Sequence, residues 1–351
     1  MNTIRFGIIG TGSIADFHAE AIRQTPGATL VAVTNRSFPK AQAFAARHGT
    51  TAEPDLAAFL SRSDIDAVCV TTPSGEHAAV AVEALNAGKH LLCEKPLDIS
   101  LPRIDAMLAA ARRNRRLLSA VFQARFGEGA QTLKTAIDAG RFGRLTLCNC
   151  QVRYWRDQAY YDNGAWRGTW AGDGGGALMN QGIHAVDLLQ WLLGMPEAVC
   201  AQTGTLVHER IETEDTAAAL LRFPSGAIGV IEAATSTWPG FSRRLQISGE
   251  HGSATLENDR LTFWQFRQES DEDARIRERG KEGAAIVSGA SDPRAINAEG
   301  HRRQIEDLAR AIRTGQPPAI DGAEGRNAVA IILGIYESVR TGGWVNPACL
   351  P

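Results

Sequence analysis

No stretch of this 351-residue chain approaches the ~18 consecutive apolar residues that a membrane-crossing helix needs. Neither sign of charge dominates. Lys and Arg number 37 and Asp and Glu 39, a net charge of −2, so the chain lacks the basic field that binds nucleic acid or a membrane surface. Cysteine is sparse: Cys69, Cys93, Cys148, Cys150, Cys200 and Cys349 contain no Cys-x-x-Cys pair, and no histidine-rich ligand set accompanies them. That pattern supports neither a zinc site nor a disulfide framework, and no metal is expected. Most of the six sit in apolar, strand-like runs, which reads as reduced, buried thiols in a cytoplasmic protein. Met1-Asn2-Thr3-Ile4-Arg5 enters a strand with no signal peptide before it, and internal repeats are missing as well. What remains is an ordinary globular composition, 44% hydrophobic and 22% charged, long enough for two domains.

Residues 1–122 alternate strand and helix patterns. Apolar runs at 4–10, 30–34, 65–71, 89–94 and 117–122 are separated by helical spacing at 13–24, 39–47, 76–87 and 101–114. Strands separated by helices of this length imply an α/β domain with a parallel, right-handed sheet. Gly10-Thr11-Gly12-Ser13-Ile14-Ala15 follows the first strand and opens a helix. In that context Gly10 permits a tight turn, Gly12 lets backbone approach a pyrophosphate, and Ser13 and Ile14 begin the helix whose N-terminus receives it. At the end of the second strand an NAD site usually carries Asp or Glu, but this chain has Asn35-Arg36-Ser37 with Lys40 nearby. Arg36, Ser37 and Lys40 suit a 2′-phosphate, so NADP(H) is favoured, with NAD(H) possible. Thr72, Pro73 and His77 close the third strand and border the nicotinamide half of the cofactor, and Ser74 suits an N-cap.

Glu94-Lys95-Pro96 ends the run His90-Leu91-Leu92-Cys93. A strand interior rejects lysine. At a strand's carboxyl edge Lys95 can enter the crevice where open parallel sheets bind ligands, its ammonium partly desolvated.

From 123 to 351 the pattern changes to a second, α+β domain with a mostly antiparallel sheet. Strand patterns lie at 145–155, 199–204, 216–223, 227–235, 244–249, 253–257 and 261–266, with Pro224-Ser225-Gly226 as a hairpin turn. A broad sheet with one covered face leaves the other for a subunit partner, and a homodimer or homotetramer is expected. Residues 267–299 are charged and aperiodic and read as a long loop, before C-terminal helices within 300–342. From Ala177, after Gly174-Gly175-Gly176, helical spacing places Asn180, His184 and Asp187 on one polar stripe. Such a stripe on an apolar helix is either internally satisfied or faces a cavity.

Together, the glycine turn, Glu94-Lys95-Pro96 and the Gly-Gly-Gly…His184-x-x-Asp187 helix resemble the Gfo/Idh/MocA oxidoreductases over essentially the whole chain. The resemblance implies an N-terminal Rossmann domain, an open-faced C-terminal β-sheet domain, and hydride transfer between nicotinamide and a secondary alcohol or ketone of a sugar, sugar derivative or cyclitol. It implies that Lys95 is the active-site lysine and His184 the acid/base. Many members carry Asp where this chain has Asn180, and an amide cannot hold the charge that would raise the histidine's pKa. Arg125, Arg153, Trp166, Arg167 and Asp187 are expected around cofactor and substrate, with Glu94 beside the cofactor. The Asn180-Gln181-x-x-His184 pattern also resembles nucleotide-sugar 3-dehydrogenases acting on a UDP-linked aminosugar acid. Two alternatives stay open: a non-catalytic, dinucleotide-sensing regulator of the same fold, and a dehydrogenase of a non-sugar ring diol.

Overall fold

The computed structural model describes residues 3–281 and 298–350. The chain divides into two compact units, one of residues 1–123 and 297–326, the other of residues 124–296 and 327–351.

In the first unit β1 (Ile4–Ile9), β2 (Ala28–Thr34), β3 (Thr51–Glu53), β4 (Ala67–Val70), β5 (His90–Cys93) and β6 (Leu118–Ala120) form one sheet. Its order is β3-β2-β1-β4-β5-β6 and every pairing is parallel. This is the doubly wound dinucleotide-binding order, and it explains the near-continuous apolar strands, since helices cover both faces. The helices are α1 (Ser13–Gln24), α2 (Phe38–His48), α3 (Leu56–Ser61), α4 (His77–Asn86) and α5 (Leu101–Asn114). Ala15, Ala19 and Ile22 fall at i, i+4 and i+7 on α1 and pack into the core with Phe6, Ile8, Val33, Cys69 and Leu92. The short β3 and α3 are absent from the sequence reading because neither is long enough to display a period.

The second unit contains α6 (Glu128–Asp138), β7 (Leu145–Arg153), α7 (Gln158–Asp162), a π-helix at Ala177–Gly182, α8 (Ile183–Leu193), and β8 (Ala198–Gly204) to β10 via β9 (Thr216–Arg222), β10 being Ile228–Ala234. β11 (Arg244–Gly249), β12 (Gly252–Glu257) and β13 (Arg260–Phe266) complete a seven-stranded sheet of order β13-β12-β11-β7-β10-β9-β8. It is antiparallel except at its centre, where β7 and β10 run parallel from Leu147↔Ile228 to Arg153↔Ala234. Strands alternate buried and accessible residues, as in β9, so one face is covered. α8 packs on β7, and α6 on β12 and β13. The open face carries apolar side chains at Leu147, Leu220, Ile228 and Phe263, each about half exposed.

Two expectations are corrected. The stretch expected as a loop over 267–299 is helical at α9 (Asp271–Lys281); residues 282–297 lie outside the described residues. Its charged sequence hides the anchor: buried Asp273 accepts Trp264 Nε1 at 2.6 Å, Arg141 at 2.7 and 2.8 Å and the Ser270 amide at 2.7 Å. Moreover, α10 (Glu299–Thr314), expected with the second domain, belongs to the first unit. Ile305, Leu308 and Ala309 lie fully buried in the same core as Ile22, and Gln304 Nε2 donates to the Ala120 carbonyl at 2.8 Å. α11 (Gly322–Thr341) follows, and the division between the units falls within it. Among the described residues no helix is long and apolar enough to cross a membrane.

Candidate active site

In the first unit the chain reverses its winding between β1 and β4, and the carboxyl ends of these strands are where such sheets take ligands. Gly10 ends β1 with φ +99, and a Cβ there would stand 2.8 Å from the Thr71 carbonyl group, so only glycine fits. At Gly12 a Cβ would meet nothing within 4 Å: the turn opens outward. Gly12 is the N-cap of α1 and no side chain caps that helix, leaving its first amides to an incoming anion. Thr72 Oγ1 is buried without a partner at the end of β4. A cradle with free amides and one orphan hydroxyl fits a dinucleotide pyrophosphate.

The neighbouring polar residues divide into free and engaged groups. Asn35 donates to Thr11 Oγ1 at 2.9 Å and accepts the Ser37 amide at 2.8 Å, tying the end of β2 to the glycine turn. The Arg36 side chain is 82% exposed and pairs with Glu76 at 2.9 Å, while Lys40 is exposed. His77 is buried, its two ring nitrogens 2.7 Å from the Pro96 carbonyl oxygen and 2.8 Å from that of Thr72. It thus holds together the chain beyond β4 and the chain beyond β5. Ser74 opens a one-turn 3-10 helix with Gly75 and Glu76 rather than capping α4, whose Ala78 amide is taken by Asp98.

Lys95 is half-buried just beyond β5, while Glu94 turns into the protein. The Glu94 carboxylate meets His18 Nε2 at 2.8 Å and His301 Nε2 at 3.5 Å, and it accepts the Lys95 backbone amide at 3.1 Å. Burial pushes this carboxyl up, but hydrogen bonds from the two histidines overcome it and hold it well below the ordinary range. Burial lowers His18. Sequence reasoning missed His18 and His301: one lies on α1, the other on α10, and no spacing connects them.

In the second unit the Gly-Gly-Gly run lets backbone and side chains close in. A Cβ on Gly176 would overlap the Glu214 carbonyl oxygen. The Glu214 carboxylate accepts the amides of Gly176 at 2.9 Å and Leu178 at 2.8 Å, capping the π-helix. The helix expected from Ala177 therefore begins with a wider turn, a feature frequent at functional sites. Asn180, Gln181 and His184 are half-buried, but Asp187 is fully buried. Asp187 receives Arg125 through two bonds, Nε–Oδ2 at 2.8 Å and Nη2–Oδ1 at 2.6 Å, and Arg125 is 3% exposed. The expected polar stripe thus splits into an accessible pair and a sealed ion pair.

Around Asn180 a further group gathers. Its amide nitrogen donates to Asp173 at 2.6 Å, and its oxygen accepts Gln181 Nε2 at 2.6 Å and the Tyr160 hydroxyl at 3.4 Å. Arg167 lies 4.6 Å from the Tyr160 ring centre and 5.5 Å from that of Trp166, so Trp166, Arg167 and Asn180 share one neighbourhood. Arg153 is elsewhere. It lies on the open sheet face, near Gln151 at 3.3 Å and over the Phe241 ring at 5.0 Å. Asp173, Tyr160 and Arg156 were not singled out from the sequence; Asp173, immediately before the glycine run, gave the one available signal.

The fold and these groups define a nicotinamide-dependent oxidoreductase built from a Rossmann unit and an open-faced sheet unit. Residues 4–122 match the oxidoreductase family with an NAD-binding Rossmann fold, and residues 130–255 match the GFO/IDH/MocA C-terminal domain. The chain belongs to the GFO/IDH/MocA oxidoreductase family. It is 30% identical over 347 residues to inositol 2-dehydrogenase of Rhizobium meliloti, covering 96% of this chain and 97% of that one. The crystal structure of the WlbA dehydrogenase from Bordetella pertussis, in complex with NADH and UDP-GlcNAcA, is 35% identical with TM-score 0.90, covering 100% of this chain and 98% of that one. Its counterpart from Chromobacterium violaceum, also with NADH and UDP-GlcNAcA, is 32% identical with TM-score 0.89, covering 100% and 97%. The NADP(H) preference read from Arg36, Ser37 and Lys40 finds no support in these relatives.

Proposed function

We propose that this chain oxidises a ring secondary hydroxyl of a UDP-linked aminosugar acid, with NAD+ as hydride acceptor. The observation that carries this reading is the end-to-end likeness, at 35% identity, to a dehydrogenase crystallised with NADH and UDP-GlcNAcA. Asn180-Gln181 four and three residues before His184 supports it from within the chain. When bound, the nicotinamide takes the hydride from the carbon being oxidised. His184 takes the hydroxyl proton as general base, and Lys95 donates a hydrogen bond to the developing oxyanion. Glu94, turned inward, supports the Lys95 backbone instead of touching the cofactor. His77 acts the same way on the two strand exits.

NAD(H) is the cofactor in this reading because both UDP-GlcNAcA-bound neighbours carry NADH and because the Arg36 guanidinium is already paired with Glu76. Six free cysteines, four of them buried, suit a reducing cytoplasm. The apolar open face, where Leu147 and Ile228 are register partners, supports a homodimer or homotetramer.

The test is a panel of UDP-GlcNAcA, myo-inositol and simple sugars assayed with NAD+ and NADP+ by the absorbance of reduced nicotinamide. Turnover of UDP-GlcNAcA with NAD+ is expected; turnover of myo-inositol in its place would move the assignment to the inositol dehydrogenases, the other relatives of comparable identity. Arg36→Ala should raise KM for NADP+ more than for NAD+, and equal effects on both would remove Arg36 from the cofactor site.

A further inference from the structure

Four side chains of the second unit form a hydrogen-bonded file, with the Tyr160 hydroxyl bonded to its two amides from the side, and its polarity is set from both ends. Asp173, 1% exposed, can only accept hydrogen bonds when ionised, so the nitrogen of the Asn180 amide must face it, and does at 2.6 Å. The Asn180 oxygen is thereby turned the other way and accepts Gln181 Nε2 at 2.6 Å. The Gln181 oxygen in turn faces Arg156 Nη2 at 2.7 Å, from a guanidinium that can only donate. A carboxylate at one end and a guanidinium at the other thus dictate the orientation of two amides between them, and such aligned bonds reinforce one another. Asp173 Oδ2 also accepts the Gly168 amide at 3.1 Å, fixing the segment next to Trp166 and Arg167.

We propose that Asp173 is a positioning residue that carries the negative charge of this file, so that position 180 must be a neutral amide as long as 173 is a carboxylate. The charge that an aspartate at 180 would hold is displaced by one hydrogen bond, and Arg156 completes the pair through Gln181. Other ionisable groups face the same charge. The phenols of Tyr160, Tyr161 and Tyr336 are raised chiefly by burial, with Asp173 adding to it, and Arg167 acts in the opposite sense on Tyr160.

The consequence is an exchange test. Asn180→Asp alone sets two carboxylates within hydrogen-bond distance, where they cannot both ionise comfortably. Asn180→Asp with Asp173→Asn restores one charge, every donor and every acceptor in the file. The four proteins (wild type, N180D, D173N and N180D/D173N) are compared by thermal unfolding and by kcat and KM from about pH 5 to about pH 8. The activity arm rests on the function proposed above and uses whichever panel compound the wild type oxidises; the unfolding arm needs no substrate. N180D is expected to lose at least about 10-fold in kcat, most at high pH and less as a shared proton returns the pair to one charge. Its melting temperature should fall in the same direction with pH. N180D/D173N should regain most of both. If N180D matches wild type, or the double variant is no better than N180D in either arm, the assignment of the charge to Asp173 is overturned. Failure of the wild type on every panel compound would instead sink the substrate reading, leaving the unfolding comparison to decide this one.

Discussion

The two units each bury a carboxylate, but they do so in opposite manners. In the first, Glu94 is closed in by His18 and His301 and accepts the Lys95 backbone amide. In the second, Asp173 is buried, yet the amides that continue from it, Asn180 and Gln181, are half-open. A sealed cluster can hold a turn in place but cannot exchange partners with a ligand. A half-open file can. Burial of a charge therefore says little about function until the accessibility of the groups bonded to it is known.

The second unit also holds a sealed carboxylate, and sealing is most sharply tested there, at the Arg125–Asp187 pair. Asp187→Ala strands a buried guanidinium and should cost about 3–5 kcal/mol in urea unfolding. Unchanged stability with a raised KM would place Asp187 at the substrate, as the sequence suggested. Next comes Lys95→Ala, expected to lose about 10²–10³ of kcat, as removal of an oxyanion donor does, while NADH titration stays normal. Full residual turnover would leave the first unit without a catalytic group. Glu94→Gln should be milder, about 1.5–3 kcal/mol, the cost of exchanging a charged hydrogen-bond acceptor for a neutral one. Since the folded carboxyl lies well below its ordinary range, its stabilisation is present at neutral pH and fades as acid protonates it. The gap between wild type and Glu94→Gln should accordingly narrow on acidification, and a gap that widened would mean that Glu94 is not ionised in the cluster.

The smallest expected effect concerns His90. Burial, with Arg116 adding to it, lowers its pKa from 6.5 to about 4, and its Nδ1 accepts the Leu117 amide at 3.1 Å, a bond that protonation would break. The unfolded chain thus binds this proton first, so stability should rise with pH between about 4 and 6.5. In His90→Asn, melting temperatures across that range should show a shallower slope; an identical slope would assign the acid sensitivity to other groups.

How far the sequence carried depends on distance along the chain. Gly10 and Gly12, Lys95 at a strand exit, and the alternation of β1, β2 and β4 to β6 with their helices were readable because each is a local pattern with a steric cause. The shared stripe of Asn180 and His184 was readable through their spacing, but the π-turn beneath them was not, since the Glu214 carboxylate that caps Gly176 and Leu178 there lies 38 and 36 positions away. Asp187 shares the spacing of His184, and its full burial in a bidentate pair with Arg125 sets it apart from the half-buried histidine. The charged face of α9 concealed a helix whose stability depends on Asp273 meeting Trp264 and Arg141. The His18–Glu94–His301 cluster was invisible for a simpler reason: its members are 76 and more positions apart.

The placement of α10 has a consequence for how the protein is made. A ribosome releases β1 to β6 before α10, so that sheet leaves the niche for Ile305, Leu308 and Ala309 unfilled, and Glu94 waits for His301, until α10 has been made. Synthesis from the N-terminus therefore cannot deliver a mature nucleotide fold ahead of the rest. Any truncation before α10 should yield a Rossmann sheet with an exposed apolar seam, prone to aggregate rather than to bind dinucleotide.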